Sequence, residues 1–229
     1  MRKSKIPPPV LLLLLALVSA SVPASAQILF DNGSAALGSG GYGYFADTGN
    51  SEFTEAGDVF TATLSGTANY VDFAGLYYGG NTPATDTFVL SLYSTSGGAP
   101  GTLITQSLLP SYSRTLLGMG ESKTVYEFSG MLQSSMSLTA GTSYYFGITD
   151  TSDPYQNFAV VVSGTVPPGG SRAEYSRNAG TSNTFTPTGP DALSFELESV
   201  PEPSEWGLLA LGCGVLVLAG KYARRFSRV

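Results

Sequence analysis

Fifteen Asp and Glu side chains fall between residues 27 and 200, and they hold most of the chemistry this stretch could perform. The chain contains no His, and its single Cys, Cys213, lies in an apolar run near the C-terminus. The side chain that most often serves as a general base near neutral pH is therefore missing, along with the common soft metal ligands. Hydrolysis of the Ser-His-Asp kind and a zinc site of ordinary composition are excluded. Carboxylates remain, because glycoside hydrolysis needs only two, about 5–10 Å apart. No spacing in the sequence fixes such a pair, so no catalytic residue and no metal ligand is assigned. The chain is not expected to be an enzyme.

Two stretches invite a sharper assignment. "TDTSDPYQN", residues 149–157, gathers Asp150, Asp153 and Asn157 with several hydroxyls, hard oxygen ligands of the kind that bind calcium. The same residue types build turns, and the turn reading is the stronger. "GSGGYG", residues 38–43, matches G-x-G-x-x-G. A dinucleotide site requires a helix after the glycines, to meet the pyrophosphate. "YFADTGNSEF" follows instead, so a loop with Tyr42, Tyr44 and Phe45 is expected, and no cofactor. Among the 13 Tyr and 12 Phe, Tyr77, Tyr78, Tyr93 and Tyr145 stand at outward strand positions where they could stack on a sugar, although Tyr also fills β-sheet faces without binding anything.

Charge narrows the partners further. The net charge of the chain is -6, but Arg2, Lys3 and Lys5 sit at one end and Lys221, Arg224, Arg225 and Arg228 at the other. Arg114, Lys123, Arg172 and Arg177 alone face the fifteen acids between them, which leaves that stretch at -11. Such a surface repels a phosphate backbone, so nucleic acid is excluded as a partner.

The elements that must position these side chains read as strands. Gly (28) and Pro (14) make up about 18% of the chain, against an ordinary sum near 12%. Such a chain is rich in turn formers and poor in helix formers. In "DTFVLSLYS" Phe88, Leu90 and Leu92 fall on one face. Tyr144, Phe146 and Ile148 do so in "SYYFGITD", and Leu193, Phe195 and Leu197 in "LSFELES". Alternation of this kind predicts half-buried strands, apolar inward and polar outward. Further strands are expected at 57–64, 70–78, 101–108, 123–129, 157–163 and 171–177. "YGGNTPATD", "STSGGAPG", "TAG" and "VPPGG" punctuate them as turns. Residues 27–199 are thus expected to form an antiparallel all-β sandwich, jelly-roll-like, with helices short or absent.

Both ends carry targeting patterns. Residues 1–26 have a basic start, an apolar core and small residues at Ala24 and Ala26, the order of a secretory signal peptide cut to leave Gln27 first. The exported body would hold no Cys and no disulfide. At the other end an uncharged apolar run, 206–220, precedes Lys221, Arg224, Arg225 and Arg228. The positive-inside rule predicts one transmembrane helix with the basic tail in the cytoplasm, marginal in length as a permanent anchor.

"VPEPSEW", residues 200–206, followed by that apolar run and basic end, resembles the PEP-CTERM sorting signal of Gram-negative bacteria, with Pro201, Glu202 and Pro203 as its tripeptide. The resemblance covers the last 30 residues, 200–229. It departs in the extra acid, Glu205, and in the interrupted basic cluster "KYARRFSR". It implies recognition and cleavage by an exosortase, an integral membrane cysteine protease, after an inner-membrane intermediate. The body is similar, more weakly, to the all-β choice-of-anchor domains, through "FTATLSGTANYVDFAGLYYGG", "DTFVLSLYSTSGGAPGTLI" and "SLTAGTSYYFGITD". Together they imply an exported structural or adhesive protein of the outer surface or exopolysaccharide matrix. The alternatives are a carbohydrate-binding module of that matrix and a carboxylate-dependent glycan-active enzyme.

Overall fold

The described residues form thirteen strands, and no helix occurs among them. The computed structural model describes residues 26–38, 43–45, 54–79, 82–120, 122–152, 157–164, 170–178, 185–189 and 192–200, with backbone alone at 43–45, 54, 170–178 and 185–189. The strands are β1 (Gln27–Asp31), β2 (Gly43–Phe45), β3 (Thr54–Thr61), β4 (Gly66–Tyr77), β5 (Phe88–Ser96), β6 (Ala99–Leu109), β7 (Ser113–Gly120), β8 (Lys123–Leu138), β9 (Ser143–Asp150), β10 (Phe158–Val161), β11 (Gly170–Asn178), β12 (Phe185–Gly189) and β13 (Phe195–Ser199). Gln27–Ser199 cluster as one compact unit. The expected signal peptide through Ala24, the tripeptide Pro201–Glu202–Pro203, the helix at 206–220 and the basic tail all lie outside the described residues.

All pairings between the named strands are antiparallel. In one sheet β7, β8 and β4 lie side by side, and the far edge of β4 is shared. β13 pairs with its residues 70–73 and β10 with its residues 75–77, so β1 extends the sheet beyond β13 and β2 beyond β10. The second sheet runs β12-β11-β3-β9-β5-β6. The "STSGGAPG" turn narrows to Gly97 and Gly98, whose φ values of 61° and 80° suit a two-residue hairpin between β5 and β6. A side chain there would be strained, which is why glycine occupies both positions.

The two sheets share one aromatic core. Phe30 of β1 meets Phe60 of β3 at 4.5 Å between centroids, Phe73 of β4 meets Phe88 of β5 at 5.0 Å, and Phe195 of β13 meets Phe146 of β9 at 4.9 Å. Each pair joins one sheet to the other. Tilted and edge-on ring pairs are favourable beyond the area they bury, by about 0.5–1.5 kcal/mol. Gly75 sits where a Cβ would run into the Phe158 and Phe128 rings, so the absence of a side chain on β4 lets those rings close over the backbone.

A polar contact also bridges the sheets. Asp58 shares the inward row of β3 with Ala56 and Phe60 and is wholly buried. Its Oδ2 accepts hydrogen bonds from Asn32 Nδ2 (2.9 Å) and from the Leu193 N–H (3.2 Å), while Asn32 Nδ2 also donates to the Leu193 carbonyl (2.8 Å). Burial, opposed by these hydrogen bonds, pushes the Asp58 carboxyl up to about 8.

Some expectations need correction. β9 is buried on both faces, and Ser91 and Tyr93 of β5 are buried as well, so these central strands are not half-exposed. On their outer side Tyr145 lies over Gly57, Glu55 lies over Gly147, and Tyr93 donates to Glu55 Oε2 at 3.2 Å. Two side-chain-free positions let side chains of the neighbouring strands lie flat against the sheet. Gly43–Phe45, expected in a loop, pairs with β10 as a strand. β1, β7 and β12 were not expected; β7 lacks clean alternation, with Leu116, Leu117 and Met119 all exposed along an edge. β8 runs to Leu138, well past the expected 123–129.

Phe128 contacts the rings of Phe73, Phe88, Tyr112 and Phe158. Phe128→Ala is expected to lower unfolding free energy by about 3–5 kcal/mol. Leu116→Ala, at a position 64% exposed, should change it by no more than about 0.5 kcal/mol. Urea denaturation of the two variants checks the contrast.

Candidate functional site

Alternation and register together assemble an acidic face. On β13, Phe195 and Leu197 point into the core, so Glu196 and Glu198 point outward. Register sets Glu196 directly opposite Asp72 of β4 on one side and Asp31 of β1 on the other. Asp72 is in turn opposite Ser129 of β8, which faces Ser113 of β7, their hydroxyls 2.7 Å apart. One row across five strands therefore reads Ser113, Ser129, Asp72, Glu196, Asp31. Glu127 and Glu198 lie one outward position along, on either side of the row.

The row forms part of a cavity of about 270 Å³. Asp31, Asp72, Glu127 and Glu196 line its acidic wall, and Leu37 and Leu117 lie on its apolar side. No Lys or Arg is among the described lining residues. At the rim, the Gly33 N–H donates to Asp31 Oδ1 (2.7 Å), and the Ser194 hydroxyl donates to the Gly33 carbonyl (2.9 Å).

Like charges directly opposed on a sheet repel, and the protonation of the row reflects that. Desolvation pushes Asp72 up to about 7, helped by a hydrogen bond with Glu198 and by the charges of Glu198 and Glu127, with Ser129 pulling the other way. Desolvation also raises Glu196 to about 7, helped by the charges of Glu198 and Asp31. Asp72 and Glu196 therefore retain protons at pH values where an isolated carboxyl would have lost them. A carboxyl that keeps its proton beside carboxylates lets the pair donate and accept hydrogen bonds with a polyol, and exchange a proton with a bound molecule.

A second polar group closes one end of the core. Tyr77 of β4 and Asp150 of β9 continue inward rows that elsewhere carry Val71 and Phe73, and Tyr144, Phe146 and Ile148, and Asp86 lies two residues before β5. Asp86 Oδ2 accepts from the Tyr112 hydroxyl (2.8 Å) and lies 3.5 Å from Arg114 Nη1, while the Asp86 N–H donates to the Tyr112 oxygen (2.7 Å). Asp150 Oδ1 accepts from the Ser152 N–H (2.9 Å) and hydroxyl (2.6 Å). Burial raises Asp150 to about 6, the Ser152 bonds pull it down, and the Asp86 charge adds to the rise. Burial, then the Asp86 charge, drives Tyr77 above the ordinary phenol range.

Of the residues weighed in the sequence, Asp150 makes the turn contacts just described, Asp153 lies outside the described residues, and the Asn157 carbonyl accepts from the Tyr78 N–H (3.1 Å) at a positive φ of 50°. Tyr77, Tyr93 and Tyr145 are buried and Tyr78 is half-buried, which corrects the outward, sugar-stacking placement weighed for them: Tyr77 belongs to the main core, and Tyr93 and Tyr145 pack against their own sheet with Val59. Ala26 is exposed, and Gln27, the expected first residue of the mature chain, is the first residue of β1. Sequence reasoning missed the acidic row. Half of its signal was present, since "LSFELES" places Glu196 and Glu198 on one face; the pairing with Asp72 and Asp31 was not. Among the described residues no group of three or more His, Cys, Asp or Glu is arranged to hold a metal ion, and none contains a helix long and apolar enough to cross a membrane. No family model matches the chain, and no curated protein matches it.

The raised carboxyls set a sign for pH dependence. The native state binds more protons than the unfolded chain between the ordinary carboxylate value near 4 and the folded values of about 6, 7 and 8 for Asp150, for Asp72 and Glu196, and for Asp58. The stabilisation is full below pH 4 and is lost as pH rises through that window. Unfolding free energy should accordingly fall from pH 4.5 to 8, and Asp72→Asn or Glu196→Gln should flatten the fall by stabilising the fold at pH 8. Guanidinium denaturation at both pH values reads this, and an unchanged slope in both variants would refute it.

Proposed function

We propose that this is an exported bacterial surface protein with a structural or adhesive role in an exopolysaccharide matrix, sorted and cleaved by an exosortase at its C-terminal signal. The observation that carries the reading is the order of features at that end: "VPEPSEW" at 200–206, the uncharged run 206–220, and Lys221, Arg224, Arg225 and Arg228. The apolar run would halt the chain in the inner membrane and leave Pro201, Glu202 and Pro203 at its outer face. The two prolines keep that stretch extended and free of helix.

The body supports this role. We read its two sheets as a sandwich of the jelly-roll kind. Gln27 pairs with Ser199 across β1 and β13, so both ends of the body meet at one edge of one sheet. Cutting before Gln27 and after 203 would then release an intact body, with no strand unpaired. A net charge of -11 keeps such a body soluble and away from anionic polymers.

A carbohydrate-binding role is the second reading, favoured by the 270 Å³ cavity with its carboxyl row. Its size and hydrogen-bonding groups suit a single neutral or amine-bearing sugar ring better than a uronic acid. Saturable glycan capture abolished by Glu196→Gln would favour it. Glycan turnover lost in the same variant would instead make the chain a carboxylate-dependent enzyme.

Intact mass spectrometry of protein recovered from the cell surface and medium tests the main reading. The expected mass begins at Gln27 and ends close to residue 203. Replacing both Pro201 and Pro203 with Ala should leave a membrane-bound form that runs to Val229. A wild-type chain that keeps Val229 in the membrane fraction would sink the sorting reading.

A further inference from the structure

We propose that the polar end of the core is a cation site suited to calcium, with Asp86 Oδ1, Asp150 Oδ2 and the Tyr77 hydroxyl as its protein ligands. The proposal starts from an imbalance of partners. Each carboxylate has one oxygen tied by the protein and the other left over: Asp86 Oδ2 takes the Tyr112 hydroxyl, and Asp150 Oδ1 takes both donors of Ser152. Asp86 Oδ1, Asp150 Oδ2 and the Tyr77 hydroxyl are buried without a hydrogen-bond partner. The three residues are 8%, 1% and 5% exposed. Buried polar atoms are normally satisfied, so three orphans in one group call for a common partner.

The three oxygens act on one another. Tyr77 feels the charges of both Asp86 and Asp150, and Asp150 feels that of Asp86. Register sets Asp150 opposite Phe88, two residues after Asp86, and the Tyr77 and Phe88 rings both pack on Phe158 (5.4 and 5.1 Å), so the three residues share one end of the core. Arg114 is the cation among them, and its Nη1 is shared between Asp86 Oδ2 at 3.5 Å and the Pro83 carbonyl at 2.9 Å, while its guanidinium lies 5.3 Å from the centre of the Tyr126 ring. It balances one carboxylate and leaves the other uncompensated.

A hard cation would satisfy all three orphans at once. Calcium takes six to eight oxygens in flexible geometry, so two carboxylate oxygens and a phenol leave room for water; magnesium demands a stricter octahedron. The oxygens already tied by Tyr112 and Ser152 act as an outer layer that aims the free ones. With two carboxylates the affinity belongs in the weak class, a Kd of roughly 0.1–1 mM. The outer row of Asp72, Glu196 and Asp31 is a different case, because its carboxyls are partly exposed and none is a buried orphan.

The test uses the full chain in mild detergent, with calcium and then terbium as probes. Calcium should raise the melting temperature, and terbium should give tyrosine-sensitised emission that calcium displaces. Asp150→Asn should weaken calcium binding by about tenfold or more, as should Asp86→Asn. Tyr77→Phe removes only an oxygen and keeps the ring, so it should weaken binding even if the Asp variants fail to fold. Glu196→Gln should leave binding unchanged. The proposal is overturned if neither probe responds at about 10 mM, well above the expected Kd. It is equally overturned if binding survives Tyr77→Phe undiminished, or if it is lost on Glu196→Gln, which would move the ion to the outer face.

Discussion

The contact between phenylalanine rings across the two sheets is the constraint on which the rest of this body depends. The single Cys lies outside it, so no disulfide ties the strands together. Phe30 against Phe60, Phe73 against Phe88 and Phe195 against Phe146 hold the inner faces together at three places along the core. Fully burying a side chain of that size contributes about 1.5–3 kcal/mol. The contacts also fix register, because sliding a strand by one residue would turn every ring to the opposite face. Once β4 and β13 are held this way, Asp72 and Glu196 have no choice but to meet on the outside.

Polar groups occur where that core ends or is pierced. Asn32, just past β1 of the first sheet, donates a hydrogen bond to Asp58 of the second, beside the Phe30 and Phe60 pair. At the opposite end of β3's neighbour β9, the inward row finishes on Asp150 instead of another apolar residue. A buried carboxyl costs desolvation, which hydrogen bonds only partly offset, as the raised values of Asp58 and Asp150 express. Such groups gain in geometric definition what they lose in stability: a ring contact tolerates rotation, whereas the Asn32 amide reaches Asp58 and the Leu193 carbonyl in one orientation.

The outer acidic row follows the opposite logic. Nothing in packing requires carboxyls at Asp31, Asp72 and Glu196, and opposed like charges destabilise a sheet. Residues that break a local rule without a structural gain are where function is sought. The same argument applies to the edge strand β7, which shows Leu116 and Met119 to solvent beside the cavity wall formed by Leu37 and Leu117.

What the sequence determined by itself was whatever depends on neighbours along the chain. Alternation in "DTFVLSLYS" and "LSFELES" located β5 and β13 and chose their inward faces, the paired glycines marked the β5–β6 hairpin, and the missing His and the acid excess excluded whole chemistries. The order of motif, apolar run and basic end is legible for the same reason. Tertiary structure alone decided which strands lie side by side. Strand pairing links residues far apart in the chain, Asp31 to Glu196 and Glu196 to Asp72, and sequence carries no local mark of such a partner. It also decided exposure: Tyr145 and Tyr93 look outward by parity and are buried, because Tyr145 and Glu55 lie over the notches at Gly57 and Gly147 and Tyr93 bonds to Glu55. A face is set by the pleat, which is local, but whether that face meets water is set by everything packed against it.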